Sequence, residues 1–477
     1  MTKPTRSIVL HGHFYQPPRD DPWTGRIPVQ PSAAPYHDWN ERIEAECYRP
    51  VTRCSVIREA GSKRIVNALS WMSFNFGPTL MVWLETEAPG TYEAILAADR
   101  ESAARLDGHG NALAMPYHHP ILPLSTDRDR RTEVRWGVAD FRRRFGREPE
   151  GMWLPETAVD SATLDVLAEE GIRFTVLAPH QVDPVPSDGL PGLYVTPGGH
   201  EIALFVYDGA LSHGVAFGDL LEDGVAWANL MIGDEDAPKL RSMATDGETF
   251  GHHHKFGEMG LASAVVEVQA HPRVRLENYA SFLAREGVSH EVRLVEPSAW
   301  SCAHGVERWR ADCGCRADSS SETSQAWRGP LRSALEWLAD GLHEVFEREG
   351  AGHFDDPWAA RDAYGAVVGT GHAPRGRRGA LLEMERNALR LFTSCAWFFD
   401  DVGGLEPRQV LSYAARAIEL AGADGLRLET GFLKRLEEAV SNRPEIGSAA
   451  DVYRRDAEAR RSAGAALGME RAGGEAL

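Results

Sequence analysis

Short apolar runs that end in polar residues, with helical patterns between them, constrain this chain more than any other feature. Ser7–Phe14 reads SIVLHGHF, apolar at its start and carrying His11 and His13 at its end. Gly151–Leu154 runs directly into Pro155 and Glu156. Arg173–Ala178 and Ile202–Tyr207 are rich in β-branched and aromatic residues, and Arg241–Thr245 leads into Asp246. Each reads as a strand, as does Trp71–Phe76. Ala60–Leu69, Thr91–Arg105 and Arg131–Phe145 have helical spacing. Asp160 reads as the N-cap of a further helix that Gly171 closes. Strands alternating with helices predict an α/β fold with a parallel sheet or barrel through about residue 300. In such folds the reactive side chains sit at the C-terminal ends of strands. His11, His13, Glu156 and Asp246 all fall at such ends.

After Cys315 the polar stretch RADSSSETSQ reads as a linker. Beyond it Leu331–Glu349, Gly379–Trp397, Arg408–Leu420 and Gly431–Val440 carry apolar residues at helical spacing. The expected organisation is a first domain over residues 1–310, an α-helical C-terminal domain over 325–460 and a flexible tail over 461–477.

A formal charge of −19 over 477 residues argues against nucleic acid or an anionic membrane as partner, because phosphates need a basic footprint. No apolar run approaches the ~20 residues of a membrane span. Ile8–Leu10 is too short for the core of a signal peptide, so the expected location is cytoplasmic. Six cysteines in this length give no disulfide framework. Thirteen tryptophans permit an aromatic platform for sugars.

Several stretches carry chemistry. His11 and His13, two apart on a strand, share a face and could bind a metal or hydrogen-bond one substrate; structural histidines are the alternative. Met115-Pro116-Tyr117-His118-His119-Pro120 holds a His pair stiffened by prolines, most simply an ordered turn. Glu156 follows the apolar Trp153-Leu154, where desolvation would raise a carboxyl pKa, and Trp153 offers a flat face. In ATDGETFGHHHK, Gly247 and Gly251 allow tight turns around Asp246 and Glu248, and three histidines follow. Two carboxyl groups are what glycosidic-bond hydrolysis uses, one as nucleophile and one as acid/base. Cys302, His304, Cys313 and Cys315 form a Cys-x-His…Cys-x-Cys set, a candidate structural zinc site without the usual Cys-x-x-Cys spacing. Reduced cysteines under an aromatic-rich loop are the alternative. Trp300 and Trp309 in the same region are candidates to line a cleft.

Taken together these stretches resemble glycoside hydrolase family 57, a family of α-glucan-active enzymes. The resemblance rests on His11-Gly12-His13-Phe14-Tyr15-Gln16-Pro17, on Gly110–Pro120, on Trp153-Leu154-Pro155-Glu156 and on Asp246-Gly247-Glu248-Thr249-Phe250-Gly251. The segments SCAHGVERW and TSCAWFFDD are similar to family members that carry a helical domain of unknown function. The resemblance implies an incomplete (β/α)7 barrel followed by helices, and a retaining mechanism. It implies Glu156 as nucleophile and Asp246 as general acid/base. His11, His13 and Gln16, with Trp153, His118, His119, Glu248, Trp300 and Trp309, become candidate substrate-binding residues. The expected partner is an α-glucan or oligosaccharide, with no cofactor and no catalytic metal. The Phe14-Tyr15 insertion and the His118-His119 pair depart from the family pattern and bear on substrate identity. Two other function classes fit the residues. One is a zinc-dependent carbohydrate hydrolase or deacetylase using His11, His13, Asp246 and His252 to His254. The other is a non-catalytic carbohydrate-binding protein.

Overall fold

Ile8, Val9 and Leu10 are almost wholly buried, as an apolar strand start demands, and they open the Arg6–Phe14 strand of this computed structural model. The structure describes residues 6–57, 63–318, 320–370, 374–456 and 459. The expected tail over 461–477 lies outside them.

Arg6–Phe14 pairs in parallel with Leu240–Asp246 along one edge. Along the other edge it pairs in parallel with Val274–Leu276 at its start and Ser73–Phe76 at its end. Single parallel bridges extend the order from Phe74 to Ala112, from Ala114 to Met152 and from Gly151 to Phe174. Phe174–Leu177 then pairs in parallel with Glu201–Val206. The result is an α/β fold built on one file of parallel rows. Connecting helices include Pro89–Arg105, Asp127–Phe145 and Ser161–Glu169. Asp160 caps the last of these by accepting from the Thr163 N–H at 2.8 Å, and Gly171 follows with φ +86°.

Two expected elements differ. Residues 60–69 do not form a helix where they are described. Lys63–Val66 instead pairs antiparallel with Cys54–Ile57, followed by a 3-10 turn at Ala68–Trp71. The β-branched Ile65-Val66 pair prefers the pleated ladder over the helix. Gly151–Leu154 forms bridges rather than a full strand, because the chain turns at once into Pro155–Thr157.

The chain divides into two compact units. One holds the described residues of Met1–Gln16, Val29–Tyr117 and Gly137–Trp300. The other holds those of Pro17–Pro28, His118–Trp136 and Ser301–Leu477. In the first, alternation decides which side chains turn inward. Val9, His11 and His13 share one face of their strand; Leu240, Ala244 and Asp246 share a face of theirs. Val9, Phe174, Phe205, Ala244 and Tyr279 join one apolar cluster. The polar residues continue these faces past the apolar layer, so the fold delivers them to one end of the strands.

The second unit is helical. Arg328–Gly350 buries Leu331, Leu335, Leu338, Leu342 and Val345 on one stripe. Gly376–Arg390, Leu405–Leu420 and Gly425–Leu436 complete it. No helix of the described residues is long and apolar enough to cross a membrane.

Candidate active site

The site is assembled on the ends of parallel strands in the first unit. His13 and Asp246 are register partners on adjacent strands, which sets them side by side. Asn75, near the end of the neighbouring strand, is the register partner of His13 on the other edge. Its side chain bridges both histidines. As placed, its carbonyl accepts from His11 Nε2 at 3.1 Å and its amide donates to His13 Nδ1 at 2.8 Å. His11 Nδ1 lies 3.1 Å from the Ser73 hydroxyl. Burial pushes both imidazoles down to about 3, so they are neutral near neutral pH.

Trp153 backs the pair. His11 stacks on it at 4.5 Å and 18°, and His13 at 5.4 Å and 21°. Trp300 meets it edge-on at 5.3 Å. Trp153 is 0% exposed, so the flat face expected to meet a sugar is taken by the imidazoles. Its work is positioning. Tyr15 stacks on the outer side of His13 at 5.9 Å and 12°.

Glu156 sits in the tight turn Pro155–Thr157 with φ +57° and ψ 19°, and Thr157 follows at φ +48°. Two consecutive non-glycine residues in the left-handed region cost on the order of 1–3 kcal/mol each, a strain typical of functional turns. Trp300 holds the residue from two sides. Its indole N–H donates to Glu156 Oε2 at 3.1 Å, and its backbone N–H donates to the Glu156 carbonyl at 3.0 Å.

Asp246 ends its strand with an exposed side chain. Desolvation by the surrounding protein, then the charges of Glu248 and Glu156, raise its carboxyl well above the usual range. Because the side chain keeps contact with solvent, the two carboxylates are the firmer part of that cause. Glu248 is 7% exposed. It accepts from the Tyr15 backbone N–H at 3.1 Å and from the Tyr48 hydroxyl, and it bonds to Gln16. Burial raises it to about 7 against the pull of those donors. The two carboxyls that follow the strand therefore resist being charged together.

Gly247 and Gly251 do not serve turn geometry. Neither adopts the left-handed conformation. A Cβ on Gly247 would lie 2.1 Å from the Phe14 ring, and one on Gly251 would lie 2.3 Å from the Glu46 carbonyl oxygen. Close packing requires both. The histidines after them diverge. His252 Nδ1 pairs with Glu46, and His254 Nε2 faces the Ala216 carbonyl at 2.9 Å. Among the described residues, the close sets of metal-binding side chains include none of His11, His13, Asp246 or His252 to His254.

His11, His13, Gln16, Trp153, Glu156, Asp246, Glu248 and Trp300 thus belong to the first unit. His118, His119 and Trp309 belong to the second. His118 is buried, with Nδ1 2.8 Å from Glu133 Oε1 and its backbone N–H donating to Oε2 at 2.8 Å. His119, at φ +61°, sets Nδ1 2.6 Å from the Ser394 hydroxyl. Trp309 is 0% exposed. The expectation that it lines a cleft is corrected: a ring wholly inside the protein packs rather than receives a sugar. Sequence reasoning missed Asn75 and Tyr48, and it named Tyr15 only as part of an insertion. Asn75 carried the signal that marked His13, a polar residue near the end of an apolar strand. Tyr48 carried none, since only tertiary packing brings its hydroxyl to Glu248.

Residues 35–293 match the model of glycosyl hydrolase family 57, and residues 324–378 and 372–472 match a domain of unknown function (DUF3536). Alpha-amylase 1 of Dictyoglomus thermophilum is 26% identical over 184 residues, covering 38% of this chain and 26% of that protein. An alpha-amylase of Pyrococcus horikoshii is 24% identical over 217 residues, covering 43% and 32%. The chain spans a quarter to a third of the length of these curated relatives. Among solved structures, an exo-type maltose-forming amylase from a Pyrococcus species matches with a TM-score of 0.71 at 14% identity, over 90% of this chain and 83% of that one. A GH57-type branching enzyme from Pyrococcus horikoshii matches with a TM-score of 0.56 at 16% identity, over 95% and 94%. At these identities the likeness is one of fold.

Proposed function

The chain belongs to glycosyl hydrolase family 57, and on that premise we propose that it is a retaining glycoside hydrolase or transglycosylase acting on α-glucans. In this reading Glu156 is the nucleophile and Asp246 the general acid/base. The observation that carries it is the placement of both carboxyls where the parallel rows end, Asp246 beside His13 in register and Glu156 fixed in its turn by Trp300. They interact electrostatically at the same end of the parallel strands, and one of them is raised while the other is anchored by Trp300.

The chemistry follows from that asymmetry. Asp246, kept protonated by its surroundings, gives its proton to the glycosidic oxygen as the bond breaks. Glu156, held through Oε2, attacks the anomeric carbon and forms a glycosyl-enzyme ester. Asp246, now a carboxylate, takes a proton from water or from a sugar hydroxyl as that ester opens. Water gives hydrolysis and a sugar gives transfer. His13, Gln16, Glu248 and Trp300 are the proposed substrate-facing groups, with His11, Trp153 and Asn75 holding them. Neutral imidazoles suit a neutral sugar, because they hydrogen-bond hydroxyls without a charge to compensate.

The reading includes the incomplete (β/α)7 barrel as the catalytic domain. It is supported by the ordered parallel rows and by the lack, among the described residues, of a ladder joining Glu201–Val206 to Leu240–Asp246. It also includes a helical C-terminal domain and a cytoplasmic location, the latter supported by six free thiols.

The test is product analysis on linear maltooligosaccharides and amylose, with Glu156→Gln alongside. New products in wild type that disappear in the variant are expected. Shorter sugars with new reducing ends mean hydrolysis, a ladder of longer chains means transfer, and new branch points mean branching. Retention predicts that the first-formed product keeps the α-anomeric configuration, read by NMR before mutarotation. Wild-type products that persist undiminished in Glu156→Gln would sink the assignment.

A further inference from the structure

Cys302, His304, Cys313 and Cys315 lie together in the second unit, and the catalytic reading makes no use of them. We propose that this set binds a structural zinc ion through three thiolates and His304 Nδ1, closing the loop between residues 302 and 315. The four donor atoms all lie within 4.8 Å of one another. Cys302 Sγ is 4.0 Å from Cys313 Sγ and 3.9 Å from Cys315 Sγ, and Cys315 Sγ is 3.6 Å from His304 Nδ1. A tetrahedral ion with Zn–S near ~2.3 Å and Zn–N near ~2.0–2.1 Å sets neighbouring sulfurs about 3.8 Å apart and a sulfur about 3.6 Å from the nitrogen. The spacing found is that of ligands around one ion. A disulfide would bring two sulfurs to about 2.05 Å, and all these thiols are free.

The backbone is shaped to the same end. Gly314, between two of the ligands, has φ +82°, and a Cβ there would meet nothing within 4 Å, so conformation rather than space selects glycine. That turn lets Cys313 and Cys315 aim at one point, which two residues in extended chain would also manage only from a strand. Gly305, after His304, repeats the device at φ +79°. Three thiolates, a neutral imidazole and a divalent ion leave one net negative charge. Arg328, wholly buried, donates to the Cys315 carbonyl at 2.8 Å and interacts electrostatically with Cys313 and Cys315, which supplies the opposite sign. The loop has only the short turn Glu307–Trp309 as regular structure, so a metal would provide the cross-link that helices and strands do not. Mixed sulfur and imidazole donors at tetrahedral spacing, with no room between them for a cluster, select zinc.

The site is tested on the full wild-type chain, purified under reducing conditions without chelator. Elemental analysis is expected to find about one zinc per chain, as for a closed four-ligand site. Exchange with Co2+ is expected to give tetrahedral d–d bands and sulfur-to-cobalt charge transfer. Removing the ion with a chelator is expected to lower the melting temperature, and ZnSO4 to restore it. The Cys313→Ser/Cys315→Ser variant should lose the metal. His304→Ala, which keeps all three thiolates, should bind it more weakly while retaining the far-UV spectrum of the wild type. No zinc in the wild type together with no uptake of added Zn2+ or Co2+ would overturn the proposal. So would iron in its place, or zinc held as tightly by the double variant. None of these outcomes depends on whether Glu156 and Asp246 cleave glycosidic bonds.

Discussion

Glu248 illustrates how one residue sets the electrostatics of another. It is buried, held by Tyr15, Tyr48 and Gln16, and it raises Asp246 by its charge. Replacing Glu248 by Gln removes that charge while keeping an acceptor for Tyr48. Asp246 then gives up its proton more readily, so the alkaline limb of the kcat/KM profile moves to lower pH. An unmoved limb would exclude Glu248 as the group that keeps Asp246 protonated. The same residue makes a stability prediction. Its carboxyl rises from 4.5 to about 7 on folding, so the native state binds more protons between those values. The contribution is present in full below pH 4.5 and is lost as pH rises through about 7. At ~1.4 kcal/mol per unit, wild type loses roughly 3 kcal/mol across that window from this group, and Glu248→Gln removes that loss. Urea unfolding at a series of pH values checks it.

At the scale of elements, glycine and strand register do the positioning. The loop from Gly247 to Gly251 lies against Phe14 and the Glu46 carbonyl, with no space for a methyl group at either glycine. Gly251→Ala must displace backbone rather than a flexible side-chain end. It should cost about 1–3 kcal/mol, as overpacking does, and shift Glu248 relative to Tyr48. Thermal melting measures the first effect, and a lower kcat/KM with the fold retained measures the second; a fully wild-type melting curve would contradict the packing argument. Much of this level was legible beforehand. Hydrophobic runs located the strands, and the cap at Asp160 located a helix start. The hairpin Cys54–Ile57 with Lys63–Val66 was not, because Ala60–Leu69 has a helical spacing that pairing with a neighbour overrides.

For the molecule as a whole, the second unit is tied by a buried ionic cluster that joins distant parts of the sequence. Arg361 Nη1 lies 2.8 Å from Asp129 Oδ1 and 2.9 Å from Glu385 Oε2, and Arg361 Nη2 lies 2.8 Å from the Thr132 hydroxyl. His343 sits 3.0 Å from Glu385 and 3.4 Å from Asp129. Removing Arg361 leaves two carboxylates buried with less compensation. Arg361→Met should therefore destabilise by about 3–5 kcal/mol, seen as a lower denaturant midpoint. Burial opposes the charge on His343, but Glu385 and Asp129 outweigh it and raise the imidazole to about 10. Its stabilising charge is complete below pH 6.5 and is lost as pH rises through about 10. Melting temperature should fall across that range in wild type and much less in His343→Gln. Equal slopes in the two proteins would show that the imidazole is not charged in the folded state.

Local patterns along the chain suffice for the α/β alternation, for the helical character of the later residues, and for the placing of His11, His13, Glu156 and Asp246 just where apolar runs end. These follow from local patterns of apolar and polar residues, which the backbone periodicities of helix and strand translate directly into faces. Three-dimensional packing selects which of the chemically capable residues work together. It joined Asn75 to both histidines, Tyr48 to Glu248 and Trp300 to Glu156. It placed His118, His119 and Trp309 in the other unit, and it gathered Cys302, His304, Cys313 and Cys315 around one point. The reason is that these relations depend on distances between segments far apart in sequence. Such distances are fixed by register and packing, and no local pattern encodes them.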